Sequence, residues 1–353
     1  MSSFTHRHCL QSTPFCFRHR KTITDFEGIA PTLAPQVRHV KTYRHRVLPR
    51  RTPRPKLILY EGVIPVSNPR SFPRLRIAAI DFLNPAPLMW DFEHPPLNSQ
   101  LAQRYQINRM MPSECADRLA TGQADIGLIP IAALAHNPNL RILPGCAIAS
   151  KHRVRSLLLV HRAHQPLKAL RSVAADTASR TTLAYTRILF HRWGNPDVPF
   201  IPATADLDAM LEIADAAILI GDPALLALEE QANRFERTSE PLVYLDLAEE
   251  WNKITGLPFV SAVWAGAPGL DFETGDSIQT DFIQSRIHGL ENIDKLVAEW
   301  SKKLPISEQT IRTYLTTNIH YLLDGECVGG MRIFFQIAAT LGILPEYIPN
   351  IST

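Results

Sequence analysis

From Arg74 onward, short apolar runs of strand length alternate with stretches whose apolar residues recur at helical spacing. Arg76-Ile77-Ala78-Ala79-Ile80 predicts a strand that stops at the turn formers Asn84-Pro85. Residues 105–110 predict a second strand. Pro112-Ser113 then opens a helix, with Ser113 read as its cap and Cys115, Ala116, Leu119 and Ala120 on one apolar face, and Gly122 ends it. A third strand over 124–129 runs to Pro130, which is expected to open the next helix. After a long connection the pattern repeats: strands at 155–162, 172–176, 198–201, 216–220 and 242–245, with helices over 179–193, 206–214 and 224–230. Asp206 is expected to cap the second of these helices, with Leu207, Met210 and Leu211 facing inward. Residues 259–264 form a final strand, and the remainder is helical by pattern, with Ile283, Ile287, Leu290 and Leu296 at helical spacing. Strand–helix alternation with short links marks α/β units on mostly parallel sheets. The expected architecture is two α/β lobes joined twice, near 146–156 and near 258–265. Residues 74–155 and 260–353 make lobe 1, 156–259 make lobe 2, and a ligand belongs in the cleft between them.

One segment carries a chemical signal of its own. A short apolar strand from Ser172 to Asp176 runs straight into a cluster of hydroxyls, and that cluster opens an amphipathic helix. The first turn of a helix has free backbone N–H groups and the positive end of the dipole, so it attracts anions. Ser179, Thr181 and Thr182 add side-chain hydroxyls at the same end. The stretch from Asp176 to Thr182 contains no glycine and no Gly-Lys-Ser/Thr ending, so it suits a carboxylate better than a nucleotide phosphate. The alternative is a well-capped helix start with no ligand. Arg180 can pair with a carboxylate or brace the loop through Asp176 or Asp222.

Composition narrows the class. The chain has 353 residues, 45% of them hydrophobic and 20% charged, enough for two lobes with substantial cores. No apolar run approaches the length of a membrane span. Residues 1–73 hold 13 Lys/Arg against 3 Asp/Glu, leaving 24 basic and 31 acidic residues in 74–353. The body is therefore mildly acidic, which argues against a nucleic-acid surface. The first 73 residues are rich in Arg, His and Pro and lack sustained apolar periodicity, so they are expected to be disordered. They do not read as a secretory signal. A transit peptide or basic tether is one reading. The favoured one is an over-extended gene start, with Val63, Val66 or Leu75 as the true initiation point. Five widely spaced cysteines (Cys9, Cys16, Cys115, Cys146, Cys327) point to reduced thiols and a cytoplasmic protein. The scattered histidines show no metal-ligand spacing, so no metal or other cofactor is expected.

Several segments, in order over about 76–345, resemble the chorismate dehydratases of futalosine-type menaquinone biosynthesis. They are Ile80-Asp81-Phe82-Leu83-Asn84, Gly122 to Pro130, Asp176 to Thr182, Ala216 to Leu225 with its Ile220-Gly221-Asp222-Pro223-Ala224-Leu225, and Trp251 to Trp264 with its Thr255-Gly256-Leu257-Pro258-Phe259. The resemblance covers the body and none of the extension. It implies a two-lobed α/β fold of the type II periplasmic-binding-protein kind, with a double crossover, in a cytoplasmic enzyme. It also implies loss of water from chorismate to give 3-(1-carboxyvinyloxy)benzoate, the substrate's own enolpyruvyl carboxylate taking the proton. Aromatisation drives that elimination, so the protein's work is positioning and charge stabilisation.

Onto that reaction the sequence places Asn84 and Ser156 as catalytic candidates. Asn84 ends the first strand at a βα turn, where an amide can bond the ether or departing hydroxyl; Asn-Pro also starts turns for local reasons. Ser156 lies where the family has a substrate-contacting serine, in a strand crossing the cleft floor, and could equally satisfy neighbouring backbone. Alternation puts Arg153 and Arg155 on the opposite face. Ser179, Arg180, Thr181, Thr182 and Asp222 are the substrate-binding candidates. Asp222 either caps the helix it opens or holds a substrate hydroxyl. Trp264 and Cys115 read as core. A non-catalytic binding protein for an aromatic or dicarboxylic acid shares these features. The sister enzyme, dihydroxynaphthoate synthase, is expected to use a histidine, and His152 and His161 are the nearest. A regulator would need a DNA-binding domain, which the basic extension does not resemble.

Overall fold

A computed structural model describes residues 74–176, 179–272, 278–349 and 351. The basic extension 1–73, with Cys9 and Cys16, and residues 177–178 of the hydroxyl-rich segment lie outside the described residues.

Two five-stranded sheets organise the chain. The first has strand order β2-β1-β3-β10-β4, from β1 (Leu75–Ile80), β2 (Tyr105–Met110), β3 (Ile126–Pro130), β4 (Arg141–Ser150) and β10 (Phe259–Gly266). The second has order β7-β6-β8-β5-β9, from β5 (Leu157–Arg162), β6 (Val173–Asp176), β7 (Phe200–Ala203), β8 (Ala216–Ile220) and β9 (Leu242–Asp246). The backbone passes from the first sheet to the second between Ser150 and Leu157 and returns between Asp246 and Phe259.

Each sheet is mixed. Strands β2, β1 and β3 are parallel, as are β7, β6 and β8, whereas β10 and β5 run antiparallel to both neighbours. The reason is topological. The parallel strands point their C-terminal ends at the seam between the lobes, so a chain crossing that seam enters the next sheet from the C-terminal side and must run the other way. The parallel rule therefore holds for the three strands linked within a lobe and fails at each crossing strand.

Local signals explain most boundaries. The helix Arg180–Arg192 is capped by Ser179, whose side chain accepts from Thr182 N, and the helix Leu207–Ile213 by Asp206, which accepts from Ala209 N. Two expectations fail. The helix Pro112–Ala120 is preceded by Met111 with no side-chain cap, because Pro112 takes the first position and pushes Ser113 into the first turn. Pro130 is the last residue of β3, where its missing N–H costs nothing at the strand end, and the helix Ala132–His136 begins two residues later.

The core runs through both sheets. Tyr185 of the second lobe's Arg180–Arg192 helix stacks on Phe259 of β10 and Phe334 of the helix Gly325–Thr340, with centroids 3.8 and 4.1 Å away, and meets Trp251 edge-on. Aromatic packing on this scale ties the crossing strand to both lobes. Trp264 and Cys115 are fully buried, as expected. Cys115, Cys146 and Cys327 are unpaired, and burial pushes all three thiols up to about 12. Among the described residues no helix is long and apolar enough to cross a membrane.

Candidate active site at the lobe seam

The ends of β1 and β8 face each other across the seam. Beyond β1, Phe82 and Leu83 are buried and Asn84 is half-buried before Pro85 turns the chain into the short helical turn Ala86–Met89. Beyond β8, Gly221 adopts φ 72°, and its Cα lies so close to Phe82 that a Cβ would come within 2.7–2.9 Å of the ring. Only glycine combines that backbone with that approach.

Asp222 follows, and it is not the helix cap. It is the first residue of the helix Asp222–Glu229, Gly221 holds the cap position, and the side chain instead reaches across the seam to accept from Leu83 N at 3.0 Å. Burial, reinforced by the negative charge of Asp81 and opposed by the Leu83 N–H, pushes its carboxyl up from 3.8 to about 6.

Ser156 sits just before β5, not within a strand. Its carbonyl accepts from Gly221 N at 2.8 Å, continuing the β5–β8 pairing, while Arg155 takes φ 66°, so the expected alternation of Arg153, Arg155 and Ser156 does not apply. That kink is held by Asp246, whose carboxylate accepts from Val154 N, Arg155 N, Ala248 N and Glu249 N. The result is a serine that is 1% exposed, its Oγ accepting from Tyr314 OH at 2.8 Å. Asn84 also adjoins the Tyr314 hydroxyl, and its Oδ1 has no hydrogen-bond partner among the described residues.

The hydroxyl-rich helix start lies on the same seam but is already engaged. Thr182 Oγ1 donates to Ser179 Oγ at 3.2 Å. Thr181, fully buried, accepts from Ala132 N of the other lobe at 3.0 Å, so it satisfies an orphan donor of that helix's first turn. Arg180 pairs with neither Asp176 nor Asp222. Its Nη2 donates to both oxygens of Asp117 at 2.8 and 3.1 Å, bridging the lobes at an exposed position.

The structure thus brings Asn84, Ser156 and Asp222 to one buried region and turns Arg180 and Thr181 into contacts between lobes. Sequence reasoning missed Tyr314 and Asp246. Asp246 had a readable signal, an acidic residue ahead of Leu247–Thr255, a helix that the apolar pattern did not flag. The histidines weighed for the sister reaction are elsewhere. His161 lies at the far end of β5, held by Arg162 O, and burial lowers its basicity; His152 is exposed. A separate trio, His320, Asp324 and Cys327, brings ligand-type atoms within 4.8 Å of one another. Its centre is already neutralised: Asp324 accepts from Cys327 N and contacts His320 Nε2 and the Lys151 ammonium.

Chemically, the meeting point of Asn84, Ser156 and Asp222 offers an amide, the Ser156 and Tyr314 hydroxyls and a carboxyl of raised pKa. Such a set holds a polar ligand by hydrogen bonds, with Asp222 as its titratable group.

The chain is similar to several known proteins. Chorismate dehydratase of Thermus thermophilus is 25% identical over 254 residues, spanning 70% of this chain and 91% of that protein. Among solved structures, protein AF1704 from Archaeoglobus fulgidus superposes with a TM-score of 0.59 at 15% identity, covering 77% of this chain and 98% of that one. The periplasmic aliphatic sulphonate binding protein SsuA from Escherichia coli gives 0.54 at 14% identity, covering 79% and 94%. These likenesses establish a periplasmic-binding-protein-like fold. The family model described as menaquinone biosynthesis matches residues 75–340, and the chain belongs to that family.

Proposed function

We propose that this protein is a chorismate dehydratase, a cytoplasmic carbon–oxygen lyase that converts chorismate to 3-(1-carboxyvinyloxy)benzoate in menaquinone biosynthesis. The observation that supports this most directly is the meeting of Asn84, Ser156 and Asp222 at a buried seam between lobes. In the proposed reaction the C–H bond beside the ether oxygen and the neighbouring C–O bond break, a ring π bond forms, and water leaves. In this reading Asn84 and Ser156 bond the ether oxygen and the departing hydroxyl. Following the family resemblance, the reading leaves proton abstraction to the substrate's enolpyruvyl carboxylate, while Asp222 keeps the Leu83 N–H. The positive end of the helix that Ser179 caps suits a substrate carboxylate. Thr181 and Arg180 act there by holding the lobes together around it.

The test is to mix the full chain with chorismate, follow the diene absorbance and weigh the product. Loss of one water to an aromatic ether is expected, and Asn84→Ala and Ser156→Ala should each lower kcat by roughly 10²-fold, the scale of losing one donor aimed at developing charge. Unchanged chorismate with folded protein overturns the reading. Because the fold is shared with binding proteins such as SsuA, saturable chorismate binding without turnover would assign the seam to binding alone.

A further inference from the structure

A third segment meets Asn84 and Ser156. After the helix Glu308–Thr313 the chain makes a single π-helical turn, Tyr314–Asn318, an irregularity that recurs at functional positions. Both ends of this turn grip the crossing segment of the backbone. Tyr314 OH reaches Ser156 Oγ at 2.8 Å, and Asn318 Nδ2 donates to Arg153 O at 3.2 Å. Tyr314 is fully buried, its hydroxyl lying between the serine and Asn84.

We propose that Tyr314 is a positioning residue, whose hydroxyl donates to Ser156 Oγ and leaves the serine's own proton to be donated to the ligand. A phenol is a stronger acid than an aliphatic alcohol, so in a Tyr–Ser pair the phenol is the better donor. A serine hydroxyl has one proton and two acceptor lone pairs. With one lone pair filled by Tyr314, its O–H turns away from the phenol and is left for a ligand. Accepting one bond also strengthens the bond that Ser156 donates. The burial of Tyr314 favours its neutral, proton-bearing form, so the donor role persists across physiological pH. Tyr314 therefore acts through Ser156, not on the reacting atoms.

This inference deepens the dehydratase reading and rests on it for the substrate, but a double-mutant cycle separates the two. Wild type, Tyr314→Phe, Ser156→Ala and the double variant are compared for chorismate turnover, for chorismate affinity by calorimetry and for melting temperature. Tyr314→Phe keeps the ring and removes one oxygen, so folding should persist; Tyr314→Met is the substitute if it does not. The expected result is that Tyr314→Phe lowers kcat about 10-fold or more, the cost of a misaligned group, with little change in KM. In the Ser156→Ala background the same change should cost less than 2-fold. Multiplying effects in the double variant, or an unchanged kcat in Tyr314→Phe, overturns the assignment. If wild type binds chorismate without turnover, the dehydratase reading falls alone, and the same non-additivity must then appear in affinity. If wild type neither turns over nor binds chorismate, both fall.

Discussion

Replacing Asp222 by Asn isolates a carboxyl that spans the seam and whose ionisation burial resists. Asn keeps the acceptor that Leu83 N needs and removes the charge. In the folded protein burial raises the Asp222 carboxyl from 3.8 to about 6. At about 1.4 kcal/mol per pH unit, holding that group ionised costs the native state on the order of 3 kcal/mol well above pH 6. The sign follows from the folded value lying above the unfolded one. The native state binds the proton more tightly, so its advantage is full below about 4 and is lost as pH rises through 6. Between pH 4.5 and 7 roughly 2 kcal/mol of this loss should be expressed in wild type and none in Asp222→Asn. Urea unfolding of both proteins at half-unit steps over that range gives the difference in free energy, in which the titrating groups that do not act on Asp222 cancel. The variant should gain on wild type with rising pH, by about 2 kcal/mol at the upper end. Curves that stay parallel would refute the reasoning, because they would mean that Asp222 ionises as it does in water and that the seam is open to solvent.

Three further outcomes follow from the same geometry. Gly221→Ala should abolish chorismate turnover and lower stability by about 1–3 kcal/mol, since the new Cβ meets the Phe82 ring and the backbone stays at φ 72°; an active variant with an unchanged melting temperature would contradict the close approach. Asp246→Asn turns an acceptor oxygen into a donor facing N–H groups of both the crossing segment and a helix start, so denaturant titration should show a loss of about 1.5–3 kcal/mol. Arg180→Ala and Asp117→Ala should behave alike, each changing stability by ~1 kcal/mol or less because the pair is exposed, and each raising KM for chorismate through a looser seam. A defect in Arg180→Ala that Asp117→Ala lacks would instead place the guanidinium on a substrate carboxylate.

How much of this was legible in the chain depended on whether the signal was local. β1, β2 and β8 lie where the apolar runs put them, and Ser179 and Asp206 cap the helices that they precede, because alternation and capping act over a few residues. β4 escaped because Pro144-Gly145 reads as a turn. The strand survives it by bulging: Gly145 takes φ 86°, and the ladder with β10 shifts register between the residues paired with Ala147 and Ile142. Asp222 shows a different limit. An acid beside Pro at a helix start satisfies the local rule for a cap, yet the carboxylate's partner is an N–H 139 residues earlier.

The candidate site divides along the same line. Asn84 could be singled out because it ends a segment with a family resemblance, and Ser156 because it lies where the family has a serine, whereas Tyr314 carries no such mark. It lies 158 residues from the serine it contacts, inside a stretch that reads as ordinary helix. What places it is a single π-helical turn, and nothing in the spacing of Ile311, Tyr314 and Leu315, all buried, distinguishes that turn from a regular one. The seam is assembled from strand ends, the crossing segment and a helix irregularity, all positions where periodic patterning stops. Hydrophobic period reports which face of an element is buried, and here that is enough to build two sheets and most of their covering helices. Which strand end meets which crossing segment is decided by topology, and the polar groups that topology gathers at the seam become visible only when the lobes are in place.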